Sequence, residues 1–90
     1  MEQIRLTVTN ATGLHARPAA LFVQTAGRFA SSITVANATD GGEPVDAKSI
    51  LSVLTLGANK GHWIDITAEG PDAGEAIRAL EALVTGGLGE

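Results

Sequence analysis

The segment formed by residues 13–20, GLHARPAA, holds the side chains of this chain that are best suited to chemistry. His15 stands where a loop is expected to enter a helix, beside backbone N–H groups without intrahelical partners and at the positive end of the helix dipole. Such a helix start attracts anions, and the planar guanidinium of Arg17 fits phosphate oxygens. Pro18 is tolerated in the first turn. The neutral, nucleophilic imidazole is favoured there, so the segment indicates a histidine that accepts and donates a phosphoryl group.

The spacing of these residues leaves a second interpretation open. His15 would then only cap the helix, and Arg17 would be a solvated surface charge. A metal site is not indicated, because the chain has no cysteine and its only other histidine, His62, lies in no HxxxH pattern. We expect neither a metal nor a cofactor.

Length and composition favour a small relay or binding module over an independent enzyme. The chain has 90 residues and no cysteine, so it can build one modest core but no disulfide framework. Its formal charge of −4 argues against binding nucleic acid, which requires a basic face. No signal peptide is recognisable, and no stretch approaches about 18 apolar residues. We expect one domain over residues 1–90 that is cytoplasmic and not inserted in a membrane.

Alternating apolar and polar residues predict three strands, over 3–9, 32–36 and 63–68. The segment 37–44 is rich in Asn, Asp, Gly and Pro, which predicts a turn that leads into a short strand at 43–46. The side chains expected to face the core are Ile4, Leu6, Val8, Ile33, Val35, Ile64, Ile66 and Ala68.

Helical spacing of apolar residues predicts helices over 16–26, 48–56 and 73–84. Asp72 and Glu75 form a D-x-x-E pattern, which predicts a capping box at the start of the third helix. The glycine-rich end, GGLGE, is expected to be a flexible tail or a short docked segment. The order βαββαβα predicts an α+β open-faced β-sandwich, with three helices on one face of a four-stranded antiparallel sheet.

Two long motifs connect this chain with a known family. GLHARPA at 13–19 and DAKSILSVLTLGANKG at 46–61, followed by a closing GLGE, resemble HPr, the phosphocarrier protein of the phosphoenolpyruvate-dependent sugar phosphotransferase system (PTS). The resemblance covers essentially the whole chain. It implies that Enzyme I phosphorylates His15 on Nδ1 and that His15 passes the group to the IIA components of sugar permeases. Arg17 would neutralise the phosphoryl group during transfer in both directions.

The same resemblance draws attention to Ser49. In many family members of Gram-positive type, HPr kinase/phosphorylase phosphorylates the matching serine. The other interpretation of Ser49 is an ordinary N-cap serine of the second helix. A phosphate there would suit the helix start, but it would add about two negative charges and weaken docking beside it.

The resemblance further implies a docking surface for several partners on the exposed faces of the first two helices. Burial of the second helix on most sides is the alternative, but small exposed apolar patches mark protein partners. Since the apolar part is small, we expect a monomer. We define the docking surface as Ala16, Ala20, Leu21, Gln24, Arg28, Ile50, Leu51 and Leu54.

Two related functions stay open beside the sugar phosphocarrier. One is a carrier in a nitrogen-regulatory or dihydroxyacetone phosphotransfer chain, and the other is an adaptor that binds a catabolite-control repressor through phosphorylated Ser49. The chain also departs from its relatives, since Gln24 and Gly27 stand where many of them have lysines, so steering toward an acidic partner is expected to be weaker. Trp63 faces away from Ile64 and Ile66 and is expected to pack on the open side of the sheet rather than to serve a contact.

Overall fold

The computed structural model describes residues 1–90 and contains four strands and three helices in the predicted order. The strands form one antiparallel sheet and the helices pack against it, which confirms the predicted open-faced α+β sandwich. The elements are β1 (Glu2–Thr7), α1 (Ala16–Gly27), β2 (Ser32–Asn37), β3 (Val45–Asp46), α2 (Ile50–Leu54), β4 (Trp63–Glu69) and α3 (Ala73–Thr85).

The sheet has the strand order β1-β4-β2-β3, so β4 lies between β1 and β2. Ile66 of β4 pairs with Ile4 on one side and with Val35 on the other. Ile64, Ile66 and Ala68 are fully buried, because the two-residue period of a strand sends them all to the helix-covered face.

The core lies between this face of the sheet and the helices. Helix α3 contacts β1, β4 and α1, while α1 also contacts α2. Phe22 of α1 and Leu80 of α3 are the largest helical side chains in this core, and both are fully buried. None of the helices has the length and hydropathy that a membrane crossing requires.

Three predicted elements are shorter in the structure. Strand β1 ends at Thr7 rather than at residue 9, because the backbone of Val8 exchanges hydrogen bonds with Gly61 and His62 in the loop before β4. Helix α2 covers Ile50–Leu54 rather than 48–56. The Asp46 carboxylate holds the Lys48 N–H at 2.9 Å, which keeps that residue outside the helix. Strand β3 covers Val45–Asp46 instead of 43–46.

The predicted capping box at α3 is wrong. Asp72 occupies the N-cap position, but its side chain makes no capping hydrogen bond. Its carboxylate instead accepts hydrogen bonds from the N–H of Ala30 at 2.8 Å, from the N–H of Ser31 at 2.9 Å and from the Ser31 hydroxyl. These bonds hold the pKa of Asp72 below its ordinary value, with the Ser31 hydroxyl as the main cause. The side chain therefore ties α3 to the turn before β2.

The glycine-rich end is docked, which decides between the two expectations for it. Leu88 is fully buried, and its N–H donates to the carbonyl of Leu83 at 2.9 Å. The Glu90 carboxylate accepts hydrogen bonds from Asn10 Nδ2 at 3.0 Å and from the Thr12 hydroxyl at 2.9 Å. The end of the chain therefore lies against the loop that leads to His15.

Candidate functional site

The loop between β1 and α1 is anchored to the turn at residues 58–61. The N–H of Leu14 donates to the carbonyl of Ala58 at 2.8 Å, and the Leu14 side chain is fully buried. Gly13 has a φ of 70°, and a Cβ built on it would lie 2.8 Å from the Cα of Asn59. Only glycine allows the two segments to come this close, so the backbone before His15 has a fixed position.

His15 is the N-cap residue of α1, with an extended backbone at φ −130° and ψ 156°. Its side chain makes no capping hydrogen bond, so the interpretation of His15 as a mere helix cap is wrong. The half-buried imidazole instead places Nε2 3.0 Å from Oδ1 of Asn59. An amide oxygen can only accept a hydrogen bond, so with Oδ1 of Asn59 turned toward the ring this contact requires the tautomer that carries its proton on Nε2. Nδ1 keeps its lone pair and has no hydrogen-bond partner within the chain.

The first turn of α1 combines strain with positive potential. Ala16 has a φ of 50°, a left-handed conformation that costs a non-glycine residue roughly 1–2 kcal/mol. No acidic residue lies in this turn. Arg17 is exposed and has neither a hydrogen bond nor an ion pair with another residue. Its guanidinium is therefore free to bind an anion.

The side chains of the docking surface lie on two helices that contact each other, and those on α2 are well exposed. Ile50, Leu51 and Leu54 are 38%, 75% and 39% exposed, whereas Val53 is fully buried and anchors the helix. The alternative in which α2 is buried on most sides is therefore wrong. On α1 and its C-cap residue Arg28, the exposed side chains are Ala16, Gln24 and Arg28, and the half-buried ones are Ala20 and Leu21. Their role in docking stays a prediction.

Ser49 is the N-cap of α2, and its hydroxyl accepts a hydrogen bond from the N–H of Ser52 at 3.3 Å. The N-cap interpretation is thereby confirmed. The side chain is half-buried, and its phosphorylation stays a prediction.

Two residues close to the site were missed by the sequence analysis. Asn59 contacts His15 from 44 residues away, and Glu90 reaches the loop before His15 through Thr12. The hydrogen bond from Asn10 is the main cause that lowers the pKa of the Glu90 carboxyl, and the hydrogen bonds from Thr12 add to it. Both residues lie in the motifs that carry the family resemblance, but no local pattern assigns either one a contact with the site, because each contact joins segments that are distant in sequence.

The site is open. None of the three surface depressions of the molecule is lined by His15 or Arg17. A phosphoryl group on His15 would therefore be enclosed only when a partner protein supplies the other wall.

Trp63 lies on the other side of the sheet, away from this site. It is half exposed, and the Arg5 guanidinium lies 5.5 Å from its ring centroid.

Comparison with known proteins relates the chain to one family. The family model "PTS HPr component phosphorylation site" matches residues 2–86. The multiphosphoryl transfer protein of Vibrio cholerae is 46% identical over 83 residues, which is 92% of this chain and 21% of that protein. The chain thus spans about a fifth of the length of the curated relatives it matches.

Solved structures give the same result. HPr-C-His from Thermoanaerobacter tengcongensis has a TM-score of 0.94 and 46% identity, with 100% of this chain and 98% of that chain covered. A dimer of HPr from this organism gives a TM-score of 0.78. The phosphocarrier protein HPr from Bacillus anthracis has a TM-score of 0.85 and 47% identity, with 92% of this chain and 95% of that chain covered. With the family model matched from β1 through α3 and the fold shared, the chain belongs to the HPr phosphocarrier family of the PTS.

Proposed function

We propose that this chain accepts a phosphoryl group on Nδ1 of His15 from phosphorylated Enzyme I and transfers it to IIA components of PTS sugar permeases. The proposal rests on the hydrogen bonding of the two ring nitrogens of His15. Nε2 is occupied by Asn59 at 3.0 Å, while Nδ1 has no partner in the chain and lies at the start of a helix.

The transfer requires little chemistry from this chain beyond the nucleophile. The lone pair of Nδ1 forms the N–P bond, while the bond from phosphorus to the donor breaks and its electron pair stays with the donor. Arg17 and the free N–H groups of the first helical turn offset the negative charge of the phosphoryl oxygens. The reverse sequence delivers the group to the acceptor.

The decisive experiment combines the chain with Enzyme I and labelled phosphoenolpyruvate. We expect one phosphate per chain, labile in acid and stable in base, and none in the His15→Ala variant. His62→Gln is the matched control, since it removes the other imidazole and should still take up one phosphate per chain at completion. Equal labelling of His15→Ala would refute the proposal.

The cellular setting is part of the same proposal. We place the chain in the cytoplasm, where residues 1–90 act as one HPr domain and as a monomer, because the exposed apolar part of the docking surface consists of three side chains. Light scattering during size-exclusion chromatography tests the monomer, since a mass of twice 9.2 kDa would show a dimer.

The receiving protein separates the main proposal from its closest alternative. A carrier of a nitrogen-regulatory or dihydroxyacetone chain would use His15 in the same way but pass the group to a different acceptor. Rates of transfer to a panel of purified acceptors from the three systems distinguish them, and preference for a sugar IIA component by at least tenfold supports the main proposal.

A regulatory role of Ser49 is the second candidate, and its N-cap position is compatible with that role as well as with an ordinary N-cap serine. Phosphate oxygens on Ser49 would accept hydrogen bonds from the first N–H groups of α2, while their charge would stand beside Ile50 and Leu51. Incubation with HPr kinase/phosphorylase and ATP should label the wild type and Ser52→Ala but not Ser49→Ala. Absence of labelling in the wild type would remove the basis for an adaptor that binds a catabolite-control repressor.

A further inference from the structure

We infer that Asn59 is a positioning residue for His15: it fixes the proton on Nε2 and stabilises the ring when Nδ1 carries the phosphoryl group. The inference rests on the proposed phosphocarrier function and adds a residue to its site.

The Asn59 side chain has a single hydrogen-bond partner in the structure. Its Oδ1 lies 3.0 Å from Nε2 of His15, and the residue is otherwise exposed. Because Oδ1 has no proton to give, this contact exists only for the tautomer with hydrogen on Nε2. The alternative tautomer would require the Asn59 amide to turn over so that Nδ2 donates to Nε2, and its proton would block the lone pair of Nδ1.

The backbone of Asn59 is held by a second histidine. Its N–H donates to Nδ1 of His62 at 3.2 Å, and the N–H of His62 donates back to the carbonyl of Asn59 at 3.0 Å. Nδ2 of Asn37, which is 2% exposed, also donates to Nδ1 of His62 at 3.1 Å. Nδ1 of His62 therefore accepts two hydrogen bonds, and the tight turn places Asn59 reproducibly.

The turn is also joined to the loop that carries His15. Leu14 donates to the carbonyl of Ala58 at 2.8 Å, and Gly61 donates to the carbonyl of Val8 at 2.8 Å. Two hydrogen bonds thus flank the contact between Asn59 and His15. The acceptor is preorganised, so little ordering is required when the reaction begins.

The hydrogen bond becomes stronger as the phosphoryl group arrives. When the lone pair of Nδ1 forms the N–P bond, the ring becomes positively charged and shares this charge with the N–H at Nε2. A hydrogen bond from a charged donor is roughly twice as strong as one between neutral groups. Oδ1 of Asn59 therefore stabilises the transition state and the phosphohistidine more than the free imidazole, which accelerates phosphorylation.

The first test reads the tautomer directly, without any partner protein. We expect ¹⁵N NMR of the wild type above neutral pH to show His15 with its proton on Nε2. Asn59→Ala should reveal a detectable population protonated on Nδ1, and Asn59→Asp, which keeps the oxygen acceptor, should remove that population again. Lys60→Ala, in the same turn and without a side-chain hydrogen bond, is the matched control.

The second test measures phosphorylation by potassium phosphoramidate, whose P–N bond breaks with release of ammonia. We expect Asn59→Ala to react about five- to tenfold more slowly than the wild type, as the loss of one hydrogen bond implies, and Lys60→Ala to react at the wild-type rate. An unchanged tautomer together with a rate within twofold for Asn59→Ala would overturn the inference. A wild type that reacts with phosphoramidate but not with phosphorylated Enzyme I would instead refute the proposed function.

Discussion

At the level of single residues, the side chain of His15 and the backbone of Ala16 show two different features of the site. The ring of His15 is oriented by Asn59, whereas the chain next to it adopts the left-handed φ of 50° at Ala16. Such a conformation persists only where surrounding contacts impose it. The anchored loop before His15 supplies those contacts, so the strain is local and can be measured.

Replacement of Ala16 by glycine should stabilise the protein. Glycine adopts a positive φ without steric cost, and this gain exceeds the greater chain entropy that glycine adds to the unfolded state. We expect the free energy of unfolding to rise by about 0.5 kcal/mol, measured by urea denaturation.

Ala20→Gly is the control for that substitution. Ala20 lies in the interior of α1, where glycine costs roughly 1 kcal/mol. If both substitutions destabilised the protein to the same extent, Ala16 would not be strained.

At the level of elements, the contact between the β1–α1 loop and the turn at 58–61 depends on Gly13. A methyl group there would meet the carbonyl of Ala58 and lie 2.8 Å from the Cα of Asn59, and it would also oppose the positive φ. We expect Gly13→Ala to lower the free energy of unfolding by about 3 kcal/mol, measured by chemical denaturation.

Gly27→Ala provides the comparison for Gly13. A Cβ at Gly27 has no neighbour within 4 Å, and alanine favours the helix. We expect Gly27→Ala to be at least as stable as the wild type. A similar loss in the free energy of unfolding for Gly13→Ala and Gly27→Ala would contradict the role assigned to Gly13.

The hydrogen bonds of Asp72, which join α3 to the turn before β2, should make the free energy of unfolding fall at low pH. The hydrogen bond from the Ser31 hydroxyl is the main cause that lowers the pKa of Asp72 in the folded protein. The stabilisation is therefore complete above the pKa of an unfolded aspartate and is lost as the pH falls through the folded pKa. We expect Asp72→Asn to be less stable than the wild type at pH 7 and to show a shallower loss of stability below about pH 4.

Denaturant unfolding as a function of pH measures this difference. The control is Glu75→Gln, which removes an exposed carboxylate from the first turn of the same helix. Its free energy of unfolding should depend on pH as that of the wild type does. If the free energy of unfolding fell in parallel with pH for the wild type and Asp72→Asn, Asp72 would not contribute to the acid dependence of stability.

At the level of the whole molecule, packing of α2 against α1 leaves one apolar side of α2 open to solvent. Leu51 is 75% exposed and contributes little to the core, so Leu51→Ser should leave stability within about 0.5 kcal/mol. If the docking surface binds partners, the apparent KM for transfer from phosphorylated Enzyme I should rise about tenfold, measured in the phosphotransfer assay.

Trp63→Ser serves as the control for the docking surface. Trp63 is 50% exposed, but its neighbour Arg5 belongs to β1 and neither residue lies on α1 or α2. A change in KM for Trp63→Ser that matches that of Leu51→Ser would show a general surface effect instead of a specific docking site.

Sequence alone determined the local features of this protein. Alternation of apolar residues in β1, β2 and β4 fixed which side of each strand is buried, since a strand has a period of two residues. The order of elements indicated the fold class, and the GLHARPA segment indicated a reactive His15 at a helix start. The alternation and the GLHARPA segment rest on neighbours within a few positions of the chain, and the order of elements combines such local signals along it.

Tertiary structure decided which distant groups meet. It paired Nε2 of His15 with Asn59 across 44 residues and turned the Asp72 carboxylate to Ser31 across 41 residues, away from the capping role that local spacing predicted. It also left Leu51 exposed beside buried Val53. Periodicity defines the faces of an element, but only packing in three dimensions selects the partner of each face, because that choice depends on contacts between segments remote in sequence.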